Sequence, residues 1–151
     1  MKTSLKFKYA HDAARPPTRS FDTAAGFDVY ALVVDEHGRG MRRILSPHNT
    51  LAIRTGILIE PPPQHTVLVC SRSGMAKNAI FVTNSPGVID PDYRGEIIVL
   101  LHNGGLSSHY VQHGDRIAQL LVLPFPEIEL CEVDELSSTE RGAQGFGSTG
   151  R

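Results

Sequence analysis

Apolar positions along this chain fall in short runs rich in Val, Ile, Leu, Thr, Phe and Tyr, and no run sustains a helical period for the length of an ordinary helix. The runs predict strands at 5–9, 27–34, 51–60, 66–71, 79–83, 96–102, 116–123 and 127–133. Between them stand the turn-forming clusters PPPQ, NSPG, DPDYRG, HNGG and LPFPE, drawn from 14 glycines and 10 prolines. Many short strands with such punctuation make an all-β domain, a distorted jelly roll or β-sandwich. A helical turn or two is expected only around 74–78, where Met75, Ala76 and Lys77 follow a serine. No repeat or domain boundary is visible, and DEHGRGMRR at 35–43 reads as a polar hairpin tip or loop.

One run breaks the pattern. GEIIVLLH at 95–102 is apolar on both faces of a strand and so needs cover on both. One face of each sheet in a two-layer sandwich meets water, so the outer face of this strand is expected to meet either another subunit or a locally covering segment.

Composition narrows the class. At 151 residues and 40% hydrophobic content the chain is long enough to bury ~68–70% of its unfolded surface as one domain. Its formal charge of −1, from 15 basic and 16 acidic residues, offers no basic field for nucleic acid and no polybasic run for a membrane, so a small ligand is favoured over a polymer. The start, MKTSLKFKYA, has no apolar core of signal-peptide length, and no apolar run is long enough to span a bilayer, so the chain is expected to stay in the compartment where it is made. Cys70 and Cys131 lie in strand-like runs without CxxC spacing and are expected as buried free thiols in a reducing cytoplasm.

Five polar clusters interrupt the strands. In AAGFDVYA, Asp28 heads a strand and by itself reads as a strand-end residue. SRSGMAKN sets Arg72, Ser73 and Gly74 before the predicted helical turn, where Ser73 serves equally as an N-cap or as part of an anion site. NSPGVIDPDYRG packs Asn84, Gly87, Asp90, Asp92, Tyr93 and Arg94 between two strands; Asp90 is either a turn former or a carboxylate at the end of a strand-like VID, facing a shallow pocket. In GDRIAQL, Arg116 is placed to pair with Asp115, and Gln119 inside the following strand calls for a polar partner. The fifth is RGAQGFGSTGR at 141–151, glycine-rich yet holding Phe146. Arg141, Ser148, Thr149 and glycine backbone N–H groups offer a phosphate clamp with an aromatic lid; a frayed terminus is the plainer alternative.

In order and content these clusters resemble the five motifs of the deoxyuridine triphosphatase (dUTPase) family in its homotrimeric all-β form: AGFDVYA the first, SRSGMA the second, GVIDPDYRGE the third, GDRIAQL the fourth and RGAQGFGSTG the fifth. The resemblance covers nearly the whole chain. It implies a β-sandwich over 1–140 and a mobile arm over 141–151 that closes on bound substrate. It implies hydrolysis of dUTP to dUMP and pyrophosphate, which keeps uracil out of DNA and supplies dUMP for thymidylate synthesis. Asp90 would be the general base for a water attacking the α-phosphorus. Asn84 and the backbone of Gly87, Val88 and Ile89 would read the uracil edge, and Tyr93 would pack beneath the deoxyribose and exclude a 2′-hydroxyl. Arg72, Ser73, Gly74 and Gln119 would hold the phosphates, joined from the arm by Arg141 on the γ-phosphate, Phe146 over the uracil, and Gly147, Ser148 and Thr149. Asp28 would reach a Mg²⁺ ion through coordinated water, the ion being held mainly by substrate phosphates. The sites would be shared between three subunits.

The sequence also departs from the family pattern. Ser71 stands where the second motif usually has Pro, Met75 where Leu is usual, and Gln144 where the arm usually has Gly; the segment 35–48 is longer than in compact members. A dCTP deaminase or bifunctional deaminase–diphosphatase shares the architecture but needs a catalytic Glu in place of the IDPDY hairpin and lacks a full fifth motif. A non-catalytic dUTP-sensing protein and a ligand-free jelly roll are the remaining readings.

Overall fold

A computed structural model of the chain describes residues 3–143. Two four-stranded antiparallel sheets face each other. The first has the order β1 (Lys6–Tyr9), β4 (Thr50–Glu60), β8 (Glu96–Asn103) and β6 (Ile80–Val82). The second runs β2 (Phe27–Tyr30), β10 (Arg116–Pro124), β5 (His65–Cys70) and β7 (Gly87–Ile89). A ribbon of β3 (Arg42–Leu45) and β9 (His109–Gln112) flanks them, and α1 (Ser73–Ala76) is a single helical turn. This is the expected all-β jelly-roll sandwich.

The alternation of the strands builds the core. Ile53, Ile57 and Ile59 of β4 and Ile97, Val99 and Leu101 of β8 point inward to meet Val29, Val67, Val69, Ala118 and Leu120 of the second sheet, each nearly or fully buried. Each of the larger side chains contributes about 2 kcal/mol by leaving water. The register of β4 and β8 shifts between Arg54 and Leu58, and Gly56 accommodates the bulge at φ +68°. There Glu96 receives the Gly56 N–H at 2.7 Å and the Arg54 guanidinium at 2.9 to 3.1 Å, while the Thr55 hydroxyl donates to the Ile97 carbonyl at 2.7 Å.

Several expectations are corrected. The run at 27–34 is a strand only to Tyr30; beyond it the Ala31 N–H bonds to Asp115 O and the Leu32 N–H to Arg54 O, so the buried stretch crosses from one sheet to the other. The strand predicted at 127–133 does not form. Its alternating side chains Ile128 and Leu130 lie 73% and 95% exposed, and Cys131 is exposed rather than buried. Alternation specifies a strand only where a paired edge exists, and no described edge takes this segment. β3 and β9 were not expected, being short and set in polar sequence, whereas β7 falls on the strand-like VID one residue earlier than read. On β8, Ile98 and Leu100 remain open to solvent on the face away from the core, so nothing in the described chain covers the second apolar face of GEIIVLLH.

Asn103 locks the end of β8. It is 1% exposed, its amide donates to the carbonyls of Leu45 and Ser107 at 2.9 Å each, and its carbonyl accepts the Gly105 N–H at 2.9 Å. Asn103→Ala leaves those backbone groups without partners and is expected to cost about 3 kcal/mol, read from urea unfolding at fixed protein concentration.

Candidate functional site

The first and fourth polar clusters meet on one row of the second sheet, the second begins one residue beyond that row, and the third lies one residue to its side. In the register of β10, Gln119 stands opposite Asp28 of β2 on one side and Cys70 of β5 on the other; one residue along β5, Val69 stands opposite Gly87 of β7. Residues directly opposed across a sheet share a face. Their neighbours Val29, Ala118, Leu120 and Val69 fill the core, so Asp28, Gln119 and Cys70 project from the other face. The row explains each polar residue by its partner. The Gln119 amide donates to the Ser71 carbonyl at 2.9 Å, supplying the partner that a polar residue within a strand requires. A Cβ on Gly26 would stand 2.8 Å from the Gln119 amide oxygen, so the glycine makes room for that amide. Burial pushes the Cys70 thiol above its ordinary pKa, leaving it neutral and a poor nucleophile.

Asp28 is 8% exposed and holds two guanidinium groups. Arg72 Nε donates to its Oδ1 at 2.7 Å, and an Arg116 Nη donates to its Oδ2 at 3.2 Å, alongside the Ser20 hydroxyl at 3.2 Å. A second donor of Arg72 reaches the Arg116 carbonyl at 3.1 Å. Arg116 is therefore paired with Asp28 rather than with Asp115, whose carboxylate instead accepts the Gln112 N–H at 2.7 Å. The two cations outnumber the single carboxylate and leave this corner positive, as an anionic ligand requires. Ser73 is the first residue of α1 and not its cap: Arg72 holds the capping position, and no side chain caps it. Ser73 and Gly74 are exposed, and a Cβ on Gly74 would meet nothing within 4 Å, so the chain leaves space beside them.

The third cluster forms a separate surface pocket of about 500 Å³, within the size range of small-molecule sites. Asn84, Gly87, Val88, Ile89, Asp90 and Tyr93 all line it, with Asp92, Arg94 and Glu96 at hand. β7 ends its sheet: one side of its backbone pairs with β5, and the other presents N–H and C=O groups of the kind that read a planar base. Asp90 follows β7 at the start of a turn closed by the Tyr93 N–H on the Asp90 carbonyl at 3.1 Å. Its carboxylate is exposed and takes no hydrogen bond from any described residue. The Tyr93 hydroxyl donates to the Glu96 carbonyl at 2.8 Å, laying the ring along the chain. Gly95 permits that pose, because a Cβ there would lie 2.5 Å from the phenol oxygen. Both readings of Asp90, turn residue and pocket carboxylate, hold together.

Asp28, Arg72, Ser73, Gly74 and Gln119 do not line the pocket, so a single chain presents two half-sites on neighbouring ground. Arg141 lies in an exposed turn; Phe146, Gly147, Ser148 and Thr149, and Gln144 with them, lie outside the described residues. No group of three His, Cys, Asp or Glu able to hold a metal exists among the described residues. Asp28 accepts three hydrogen bonds, and a carboxylate offers about four lone-pair sites, which leaves room for one further donor such as a metal-bound water. The donor set fits a magnesium ion carried by phosphates. Ser20 went unassigned in sequence, Ser71 stood out there only as a departure from the family pattern and Arg116 only as a partner for Asp115; long-range contacts bring all three to this row.

Comparison with known proteins agrees with this geometry. The profile of the dUTPase family matches residues 12–150. A deoxyuridine 5′-triphosphate nucleotidohydrolase of Anaplasma marginale (strain St. Maries) is 40% identical over 135 residues, 89% of this chain and 88% of its own. One from Caulobacter vibrioides (strain NA1000 / CB15N) is 41% identical over 150 residues, 97% of this chain and 94% of its own. Among solved structures, the dUTPase of Staphylococcus bacteriophage 80alpha with dUPNHPP superposes with a TM-score of 0.85 at 27% identity, covering 99% of this chain and 100% of that one. A point mutant of the dUTPase from phage phi11 of S. aureus, a structure concerned with coordination of a structural Mg(II) ion, shares the fold with a TM-score of 0.76 at 22% identity, covering 89% and 99%.

The charge cluster yields a stability test. Asp28→Ala strands two guanidinium groups beside each other and is expected to cost about 3 kcal/mol in chemical unfolding, mostly through Arg72, whose side chain is 21% exposed. Arg116→Ala, at the half-exposed partner, should cost less than about 1 kcal/mol.

Proposed function

We infer the chemistry of this chain from its relatives and its site together: the chain belongs to the dUTPase family and is a dUTP nucleotidohydrolase, cleaving dUTP to dUMP and pyrophosphate. The observation that carries the residue-level reading is the Asp90 carboxylate, without a hydrogen-bond partner among the described residues and set in the pocket between the open edge of β7 and the Tyr93 ring. Asp90 is the general base. It holds a water against the α-phosphorus and accepts its proton as the new P–O bond forms and the bond to the β-phosphate oxygen breaks, releasing pyrophosphate. General base catalysis of this kind contributes roughly 10²–10⁴-fold.

Uracil lies along β7, read by the backbone of Gly87, Val88 and Ile89 and by Asn84. Buried groups matched to uracil stay unpaired against the amino group of cytosine, and such mismatches discriminate by up to ~10⁴–10⁵. Tyr93 sits beneath the deoxyribose and leaves no space for a 2′-hydroxyl. Arg72, Ser73, Gly74 and Gln119 bind the phosphates, Arg72 through the N–H groups that Asp28 and the Arg116 carbonyl leave unused. Magnesium bound to the triphosphate supplies charge neutralisation on the leaving pyrophosphate. Asp28 would hold the ion through one coordinated water. Residues 1–140 form the sandwich domain and 141–151 the arm, with Arg141, Phe146, Gly147, Ser148 and Thr149 closing the site.

The enzyme is a homotrimer with sites shared between subunits. Two features support this: the open apolar face of β8 around Ile98 and Leu100, and the exposed segment 127–133, which pairs with no strand among the described residues. A second and third copy give each of them a partner and bring phosphate-binding and base-binding half-sites together. No helix among the described residues is long and apolar enough to cross a membrane. Free Cys70 and Cys131 support a reducing, cytoplasmic setting.

The test is pyrophosphate release from dUTP, with dCTP, dTTP and UTP alongside, with and without magnesium. Magnesium-dependent release from dUTP alone is the expected result; ammonia from dCTP would move the chain to a deaminase. Asp90→Asn should lower kcat by ~10²–10⁴ while dUTP affinity, measured by calorimetry, holds. Loss of affinity on the scale of the loss of rate would remove Asp90 as base. Deleting 141–151 should leave the unfolding midpoint in place and cut kcat/KM sharply, and unchanged turnover would end the role of the arm.

A further inference from the structure

Ser71 spends all three of its polar groups on two parts of the site. Its N–H donates to the Ser85 hydroxyl at 3.0 Å, its own hydroxyl accepts the Val82 N–H at 2.9 Å, and its carbonyl accepts the Gln119 amide at 2.9 Å. Val82 ends β6, the last strand of the first sheet, whereas Ser71 directly follows β5 of the second. The serine therefore joins the two sheets where the site lies. Val82 and Ser85 also bound a tight turn, closed by the Ser85 N–H on the Val82 carbonyl at 3.2 Å. Ser71 grips that turn at both ends, by side chain at Val82 and by main chain at Ser85.

What the turn carries gives the grip its meaning. Asn84 lies within it, and the chain passes from it through Pro86 into Gly87, Val88 and Ile89 of β7. The next residue after Ser71 in the other direction is Arg72, fastened to Asp28, and the Ser71 carbonyl is fastened to Gln119. Ser71 is thus the short mechanical link between the groups set to read the base and the groups set to bind phosphate. An alanine at 71 leaves the Val82 N–H without its acceptor; a proline removes the donor to Ser85 as well.

We propose that Ser71 is a positioning residue that fixes the turn at 82–85 against the row Asp28–Gln119–Cys70, and that this fixing sets substrate affinity and discrimination against the amino-pyrimidine nucleotide. The inference rests on the dUTPase reading, in which Asn84 and β7 face the base. Ser71 touches neither the attacking water nor the phosphorus in this reading, so its loss acts on KM and selectivity before kcat.

The experiment measures kcat and KM for dUTP, and kcat/KM for dCTP, in S71A, S71P, S71T and S85A, each well below its unfolding midpoint. S71A is expected to raise KM for dUTP roughly tenfold and to narrow the dUTP-over-dCTP preference by a similar factor, with kcat near that of the unsubstituted chain. S71T keeps both the N–H and a hydroxyl and should restore KM and selectivity. S85A, at an exposed residue, removes one end of the grip alone and gives a smaller rise in KM, so the question stays answerable where S71P does not fold. Variants that lose thermal stability yet keep KM and selectivity would overturn the role of Ser71 alone, as would a fall in kcat at unchanged KM. Absence of dUTP turnover in the unsubstituted chain would overturn the activity itself, and the role of Ser71 with it.

Discussion

Everything at the site depends on the register of β10. This strand lies between β2 and β5 and sets Asp28, Gln119 and Cys70 on one row. Strand side chains alternate strictly between faces, so a slip of one residue on either side would turn Asp28 or Cys70 toward the core and send a valine outward. The apolar residues on the far face of the same strands, Val29, Ala118, Leu120 and Val69, make such a slip costly. Burial of the core and placement of the polar row are one constraint seen from the two faces of a sheet.

That constraint also explains why the polar row tolerates so much charge. Asp28 is largely out of water, where a lone carboxylate would be expensive, and two guanidinium groups with a serine hydroxyl compensate it. Arg72 is consequently held in one pose before any ligand arrives. A cation that is already oriented loses less freedom on meeting an anion than one waving on a flexible stem. The pocket lined by Asp90 and Tyr93 follows the opposite logic, its carboxylate left without a partner among the described residues and its open donors and acceptors supplied by the edge backbone of β7.

The strands were legible in the sequence because their alternation coincides with pairing inside the chain. At 127–133 the same alternation misled, since pairing there needs an edge that the described chain does not offer. His109–Gln112 and Arg42–Leu45 escaped for the converse reason: they pair with each other, but their sequences carry charge and little periodicity. At the site, the order of the five clusters pointed to the family, and the structure gathers the third around a pocket as expected. The partners of Asp28 were not legible. Arg116 adjoins Asp115 in sequence, yet the geometry of a strand turns it to a carboxylate 88 residues away. Local proximity is a poor guide to ion pairing wherever a tight turn offers the nearer carboxylate a backbone N–H instead.

Ser71 shows how one structural problem admits two thermodynamic solutions. A proline there would restrict the chain through its ring, reducing the disorder lost on folding without forming a bond. The serine restricts it through three hydrogen bonds, whose contribution is enthalpic and whose making and breaking depend on temperature and on competing water. Were base selection set by Ser71 as proposed, it would be tied to a joint that loosens on warming, and fidelity toward the nucleobase would become a temperature-dependent property separable from the rate of cleavage.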